Sequence, residues 1–332
     1  MKWSAIAGTA IGIGLSAWLL ENYGVERILG LLGDAGWFGI IAVIVFHFVQ
    51  ILFSAAAWRV ILGVTAMRPS LWKYMVLRWI REGVNNLLPV AQIGGEFVAA
   101  RLLHRRGVKL APAIAGTVAD LTMEMITQIG FTLVGLALLV WSVGGGTIGG
   151  YVAGGIGMAM AVAAGFVGAQ WFGLALAIET GLVRLGRFMG WRGTAKVAGL
   201  HEALIDCYRR PRRIALAALW HMVSWLLGGF EIMLALHFLG REVGFASGVI
   251  IESVGQALKA VGFAVPGALG VQEGGYIIIC EVFGLSPEVA IALSLIKRLR
   301  EVALGVPGLL AWQRMEARGK AAPAEPVTGI VP

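Results

Sequence analysis

The sequence predicts an all-α fold: a polytopic integral membrane protein with about six full spans and two re-entrant hairpins, arranged as an inverted repeat. Three observations predict it. Of 332 residues, 58% are hydrophobic and 14% charged, where soluble proteins carry about 25% charged. Two apolar stretches, one in each half, are interrupted by proline and glycine at matching places. The basic residues collect in short segments on one side of the expected spans.

Residues 3–20 form the first expected span, behind Lys2. Glu21-Asn22-Tyr23 offers no small-x-small cleavage site, so the segment reads as a retained helix and not a signal peptide. Gly8 and Gly12 form a small-xxx-small pair suited to helix contact. Residues 36–62 are the second span, containing His47 and Gln50. A lone histidine there more often bonds a neighbouring helix than serves chemistry. After Pro69, residues 70–83 mix Trp72, Tyr74 and Trp79 with Lys73, Arg78 and Arg81, the pattern of an interfacial helix.

The first interrupted stretch follows: NNLLPVAQIGGEF, 85–97, with Asn85, Pro89, Gln92 and Glu96 as candidate site residues. Proline withdraws a backbone donor, and glycine permits turns that other residues resist. Within lipid, broken backbone survives only where protein buries it or water reaches it. The stretch should dip in, turn and return to the basic run Arg101, His104, Arg105, Arg106 and Lys109.

Residues 112–141 are the third span. Thr117, Asp120, Glu124 and Gln128 recur at spacings of 3, 4 and 4, on one helical face. Two mid-depth carboxylates cost roughly 2.5–3.5 kcal/mol each on insertion scales, so they should face the bundle interior. Residues 145–178 hold a glycine-rich fourth span, with Gly150 and Gly154 as a packing pair. The basic loop 179–213 should contain an amphipathic helix near 195–208, and its YRRPRR run, 208–213, reads as a surface anchor.

Residues 214–239 are the fifth span, with Glu231 inside. Residues 245–261 then place Glu252, Gln256 and Lys259 on one face, at spacings of 4 and 3. They lead into the second interrupted stretch, AVPGALGVQEGGY, 264–276, with Pro266, Gln272 and Glu273. Residues 286–312 are the sixth span, and SLIKRLRE puts Lys297, Arg298, Arg300 and Glu301 in its middle. These elements make a single membrane domain, 1–313, followed by a disordered tail, 314–332.

The two interrupted stretches are related by a fixed offset, 266 − 89 = 177. The same offset carries Glu96 to Glu273, Asp120 to Lys297 and Glu124 to Glu301. Repeat halves 36–141 and 213–312 follow. With the N-terminus inside, 21 of the 27 Lys and Arg fall on the inner side and 2 on the outer, which puts both termini in the cytoplasm. Three crossings separate the halves, so they are inverted. Paired interrupted segments in inverted halves point to a midplane transport site. One half offers acids where the other offers bases. Asp120 or Glu124 should therefore lie within salt-bridge reach of Lys297, Arg298 or Arg300, near Glu96 and Glu273.

Composition excludes other classes. Cys207 and Cys280 are too few for a disulfide framework and lack metal-ligand spacing. The net charge of +8 lies in loops between spans, where anionic lipid head groups account for it and nucleic acid does not. No metal or cofactor is expected.

NNLLPVAQIGGE, ADLTMEMITQ, VPGALGVQEGG and KRLRE together resemble the flippase-like membrane domain of the bacterial lysylphosphatidylglycerol synthase family. Their order and wording are most similar to its hopanoid-biosynthesis-associated branch. The resemblance implies a non-enzymatic protein of the bacterial inner membrane that moves a lipid, in that branch a hopanoid or hopanoid-bearing lipid. Lipid-biosynthesis or export proteins are implied as further partners. About twenty residues follow the last span, with no room for the family's soluble synthase domain. Two other readings stand beside transport: a non-transporting scaffold of a lipid-biosynthesis complex, and an intramembrane lipid-modifying enzyme using Asp120 and Glu124 as an acid/base pair.

Overall fold

A computed structural model of the protein describes residues 21, 25–63, 69–88, 94–143, 199–261 and 270–321. These residues form helices and no strands. The expected first and fourth spans, most of the basic loop, Pro89, Gln92 and Pro266 lie outside them.

The helices are α1 (Val25–Leu62), α2 (Leu71–Leu87), α3 (Gly94–His104), α4 (Leu110–Val143), α5 (Leu200–Tyr208), α6 (Pro211–Phe238), α7 (Phe245–Val261), α8 (Val271–Val282) and α9 (Pro287–Ala321). Three are long and apolar enough to cross a membrane: Val25–Leu62, Leu110–Ser142 and Pro211–Phe238. They coincide with the expected second, third and fifth spans. α9 covers the expected sixth, but its central charges make it less apolar.

Local chemistry sets the boundaries. Gly36 adopts φ 63 and ψ 169, which breaks α1 near the expected start of the first half. Leu88 is extended, at φ −104 and ψ 145. A residue before proline is pushed out of the helical region, so α2 ends ahead of Pro89. Pro211 and Pro287 open α6 and α9, where a missing N–H costs nothing. α9 continues through Ala321, past the boundary expected at Gln313. The helix-forming run RMEAR carries it on, a correction to the sequence-based tail.

The 177-residue offset reappears in the elements. α3 and α8 start at 94 and 271, and α4 and α9 at 110 and 287. Packing follows the same exchange. α2 lies on α9 as α7 lies on α4, α3 touches α2 and α4 as α8 touches α7 and α9, and α1 packs most extensively on α6. Close approach uses glycine: a Cβ on Gly83 would sit 3.0 Å from the Gly305 carbonyl, and one on Gly248 2.6 Å from the Gly229 carbonyl.

Large apolar side chains face outward while a set of ionisable groups is buried beside the apolar core. Trp37, Phe38, Trp141 and Ile278 are at least 70% exposed. Arg81, Asp120, Glu231, Lys297 and Glu301 are buried. Such an arrangement suits a lipid exterior, where ionisable groups turn toward the bundle interior.

Candidate functional site

α2 brings Arg78, Arg81, Glu82 and Asn85 to one face, because they follow at intervals of 3, 1 and 3. That face meets the acidic face of α4. Arg78 grips both oxygens of Glu124, with Nη1 donating to Oε2 at 2.7 Å. Its Nε donates to Glu82 Oε1 at 3.1 Å. Arg81 donates from Nε to Glu96 Oε1 at 2.8 Å, from Nη1 to Asp120 Oδ2 at 2.5 Å and from Nη2 to Glu124 Oε2 at 2.8 Å. His221 Nε2 lies 3.0 Å from the other Asp120 oxygen. Asn85 completes the corner: its amide donates to Glu96, and its Oδ1 accepts the Gly95 N–H at 2.8 Å.

The second half builds its own network. Lys297 pairs with Glu252, and Arg300 with Glu231. Lys259 Nζ donates to Glu301 Oε1 at 2.7 Å and, across the halves, to Asn86 Oδ1 at 3.2 Å. Arg298 donates to Glu273 Oε1 at 3.1 Å from both Nε and Nη2. The other Glu273 oxygen accepts the Gly270 N–H at 2.7 Å. Glu96 and Glu273 both stand in the first turn of a helix, where the helix dipole favours an acid.

Two corrections to the sequence reading follow. Asp120 and Glu124 pair with Arg78 and Arg81 of their own half, not with Lys297, Arg298 or Arg300. Arg78 and Arg81 are 5% and 2% exposed, so α2 is no interfacial helix with its bases at a surface. The buried Lys and Arg pair with acids of their own half: α2 with α3 and α4 in the first, α9 with α6, α7 and α8 in the second.

His47 joins the halves. Its Nδ1 lies 2.9 Å from Glu231 and its Nε2 3.2 Å from Glu82. The sequence reading of a helix-to-helix contact holds, but the residue also lines a cavity. That cavity has a volume of about 400 Å³, within the usual range of roughly 300–1,000 Å³ for small-molecule sites. Its lining includes four cations, Arg78, Arg81, Lys259 and Arg300, and four carboxylates, Glu82, Glu96, Glu124 and Glu252. Asn85, Gln128 and Gln256 of the expected set also line it, as do Gln50, Ser54, Asn86 and Ser224. Asp120, Lys297 and Glu301 support it as ion-pair partners of lining residues, whereas Glu273 and Arg298 pair with each other outside the lining. Gln272 is instead buried against the Tyr276 hydroxyl, 3.4 Å away.

Sequence reasoning missed Arg78, Arg81, Glu82, His47, His221 and Glu231 as site residues. One signal was available. A surface-binding helix carries bases alone on its polar face, whereas α2 pairs Arg78 with Glu82 at i,i+4.

The model of the family described as lysylphosphatidylglycerol synthase TM region matches residues 5–308. The chain belongs to that family. Comparison with curated proteins and with solved structures gave no significant match. Membership fixes the chain as a multi-pass membrane protein with a lipid-related setting. The interrupted stretches and the charged segment 294–301 of α9 lie within the matched region.

Proposed function

We propose that this protein is a lipid transporter of the flippase type, non-enzymatic and free of cofactors, in the bacterial inner membrane with both termini cytoplasmic. The observation that carries the reading is the polar cavity of about 400 Å³, lined by charged side chains of α2, α3, α4, α7 and α9 inside an apolar bundle. A lipid head group crossing a bilayer needs such a polar route while its tails stay in hydrocarbon. The halves act as an inverted repeat, supported by the shared 177-residue spacing of helix starts and the exchange of packing partners. The re-entrant hairpins are the α2–α3 and α7–α8 pairs. The motif resemblance makes a hopanoid or hopanoid-bearing lipid the candidate cargo, with lipid-biosynthesis or export proteins as candidate partners.

Reconstitution into liposomes with a fluorescent head-labelled lipid tests this. Protein-dependent exchange between leaflets is expected. A rate equal to that of protein-free liposomes removes the transport reading.

One observation favours the scaffold reading: the buried acids and bases pair with one another, as a structural network would. Under that reading the same liposomes show no exchange, and the protein co-purifies with enzymes of lipid synthesis.

A further inference from the structure

The two sides of the ion-pair network differ in charge. On the α6–α9 side, Glu231, Glu252, Glu273 and Glu301 are met acid for base by Lys259, Lys297, Arg298 and Arg300. On the α2–α4 side, Glu82, Glu96, Asp120 and Glu124 share two arginines, Arg78 and Arg81. Two carboxylates are thus in excess of Lys and Arg among the described residues of the network. The remaining stretches that the sequence assigns to the membrane, 3–20, 89–93, 145–178 and 262–269, carry no Asp, Glu, Lys, Arg or His. A buried charge without a partner is strongly disfavoured, so the excess calls for bound positive charge.

Two histidines stand against these acids. His221 Nε2 lies 3.0 Å from Asp120, and a neutral ring with one N–H satisfies that single contact. His47 is different. Its Nε2 lies 3.2 Å from Glu82 and its Nδ1 2.9 Å from Glu231. Only an imidazolium carries N–H on both nitrogens; a neutral ring leaves one lone pair against a carboxylate. The charged groups around it are Glu82 on α2, shared with Arg78, Glu231 on α6, and Arg300 on α9, with Glu124 of α4 in the same cavity. Arg300 Nη1, 3.2 Å from Nδ1, opposes a charge on the ring, but it is itself paired with Glu231. His47 lines the large cavity and also a second void of about 10 Å³ between α2 and α9, room for about one water.

We propose that His47 is a proton-binding site through which the protein couples leaflet exchange to a proton gradient. The coupling rests on the transport reading; the proton site is tested without it. With the proton bound, the imidazolium donates to Glu82 and Glu231 and ties α1 to α2 and α6. The proton leaves Nε2 for Glu82, which lines the cavity, and passes from there to water. The neutral ring then donates to one carboxylate instead of two, and the tie between α1 and α2 loosens.

The full-length protein, labelled with ¹⁵N-histidine and held in lipid nanodiscs, is read by solid-state NMR, which separates protonated from unprotonated ring nitrogens. His47→Gln identifies the His47 signals by their loss. Both His47 nitrogens are expected to be protonated at pH 7, and an unprotonated one overturns the proposal. Glu82→Gln removes one of the two carboxylates. Over a pH series it should lower the ratio of imidazolium to neutral ring at least about tenfold, and an unchanged ratio also overturns the proposal. Should His47→Gln fail to fold, the shift that Glu82→Gln produces assigns the same signals. In liposomes holding a head-labelled phosphatidylethanolamine, a pH difference of one unit should displace the label from an even leaflet distribution by up to about tenfold. Exchange that stays even under the gradient removes the coupling and leaves the transport reading standing. No exchange at all removes the transport reading and the coupling with it, while the NMR result still decides the proton site.

Discussion

Arg81 on α2 and Asp120 on α4 meet at 2.5 Å, with the arginine 2% exposed and the aspartate fully buried. Neither group has water to fall back on. Breaking such a pair from one side leaves a buried charge and costs about 3–5 kcal/mol. Because Arg81 also holds Glu96 and Glu124, its loss takes the shared cation from three acids, of which Glu124 keeps Arg78. Arg81→Leu should therefore lower the unfolding temperature in detergent more than Asp120→Asn does. The opposite ranking would mean that Arg81 does not anchor this corner.

Lys297 and Glu252 form a second buried pair, 2% and 3% exposed. Lys297→Met and Glu252→Gln should each destabilise. The double change should be milder than the two losses added, with a coupling of about 0.5–3 kcal/mol. Lys297→Met combined with Asp120→Asn should be close to additive, since they share no ion-pair partner. Thermal unfolding of all variants checks both statements. Additivity in the first cycle would show that the pair contributes nothing.

His47 ties α1 to α2 and α6 through Glu82 and Glu231. His47→Leu removes polar contact from both acids. An unsatisfied buried polar group costs about 1–3 kcal/mol, so a loss of that order is expected from denaturation curves. The loss should shrink when Glu82→Gln is added. If His47→Leu unfolds like the wild type, the histidine is not a structural link between the halves.

Glycine sets the spacing of α6 and α7. A Cβ on Gly248 would lie 2.6 Å from the Gly229 carbonyl, a rigid backbone atom. Gly248→Ala should cost about 1–3 kcal/mol, as overpacking does. Gly33 has open space around it, and Gly33→Ala should stay within about 1 kcal/mol of wild type, the span of helix propensity. Comparable melting of the two variants would contradict the close approach.

Side assignment is open to labelling. With Cys207 and Cys280 replaced by serine, single cysteines at Arg241 and Arg105 probe two turns expected on opposite faces. An impermeant thiol reagent applied to intact cells should modify the first, and the second only after permeabilisation. Modification of the Arg105 position in intact cells would reverse the topology.

The membrane-helical character of the chain is written in its sequence, because hydropathy and proline positions act locally. Hydrogen-bond satisfaction in lipid forces apolar runs into helices, and Pro89 sets where α2 must stop. The 177-residue relation, the matched places of Glu96 and Glu273, and the need for Asp120, Glu124 and Lys297 to turn inward were legible for the same reason. Which acid meets which base was not legible. Burial demands that a charge find a partner, but many partners at similar depth satisfy that demand. The choice is made by which helix face the packing turns toward α4 and α9. The offset put Asp120 opposite Lys297 by symmetry, yet Arg78 and Arg81 of α2 hold the acids of α4, and Lys297 pairs with Glu252. The same packing drew α2 off the membrane surface and into the bundle. Only the tertiary structure could place His47 between Glu82 and Glu231, because those residues stand on three separate helices brought together by packing alone.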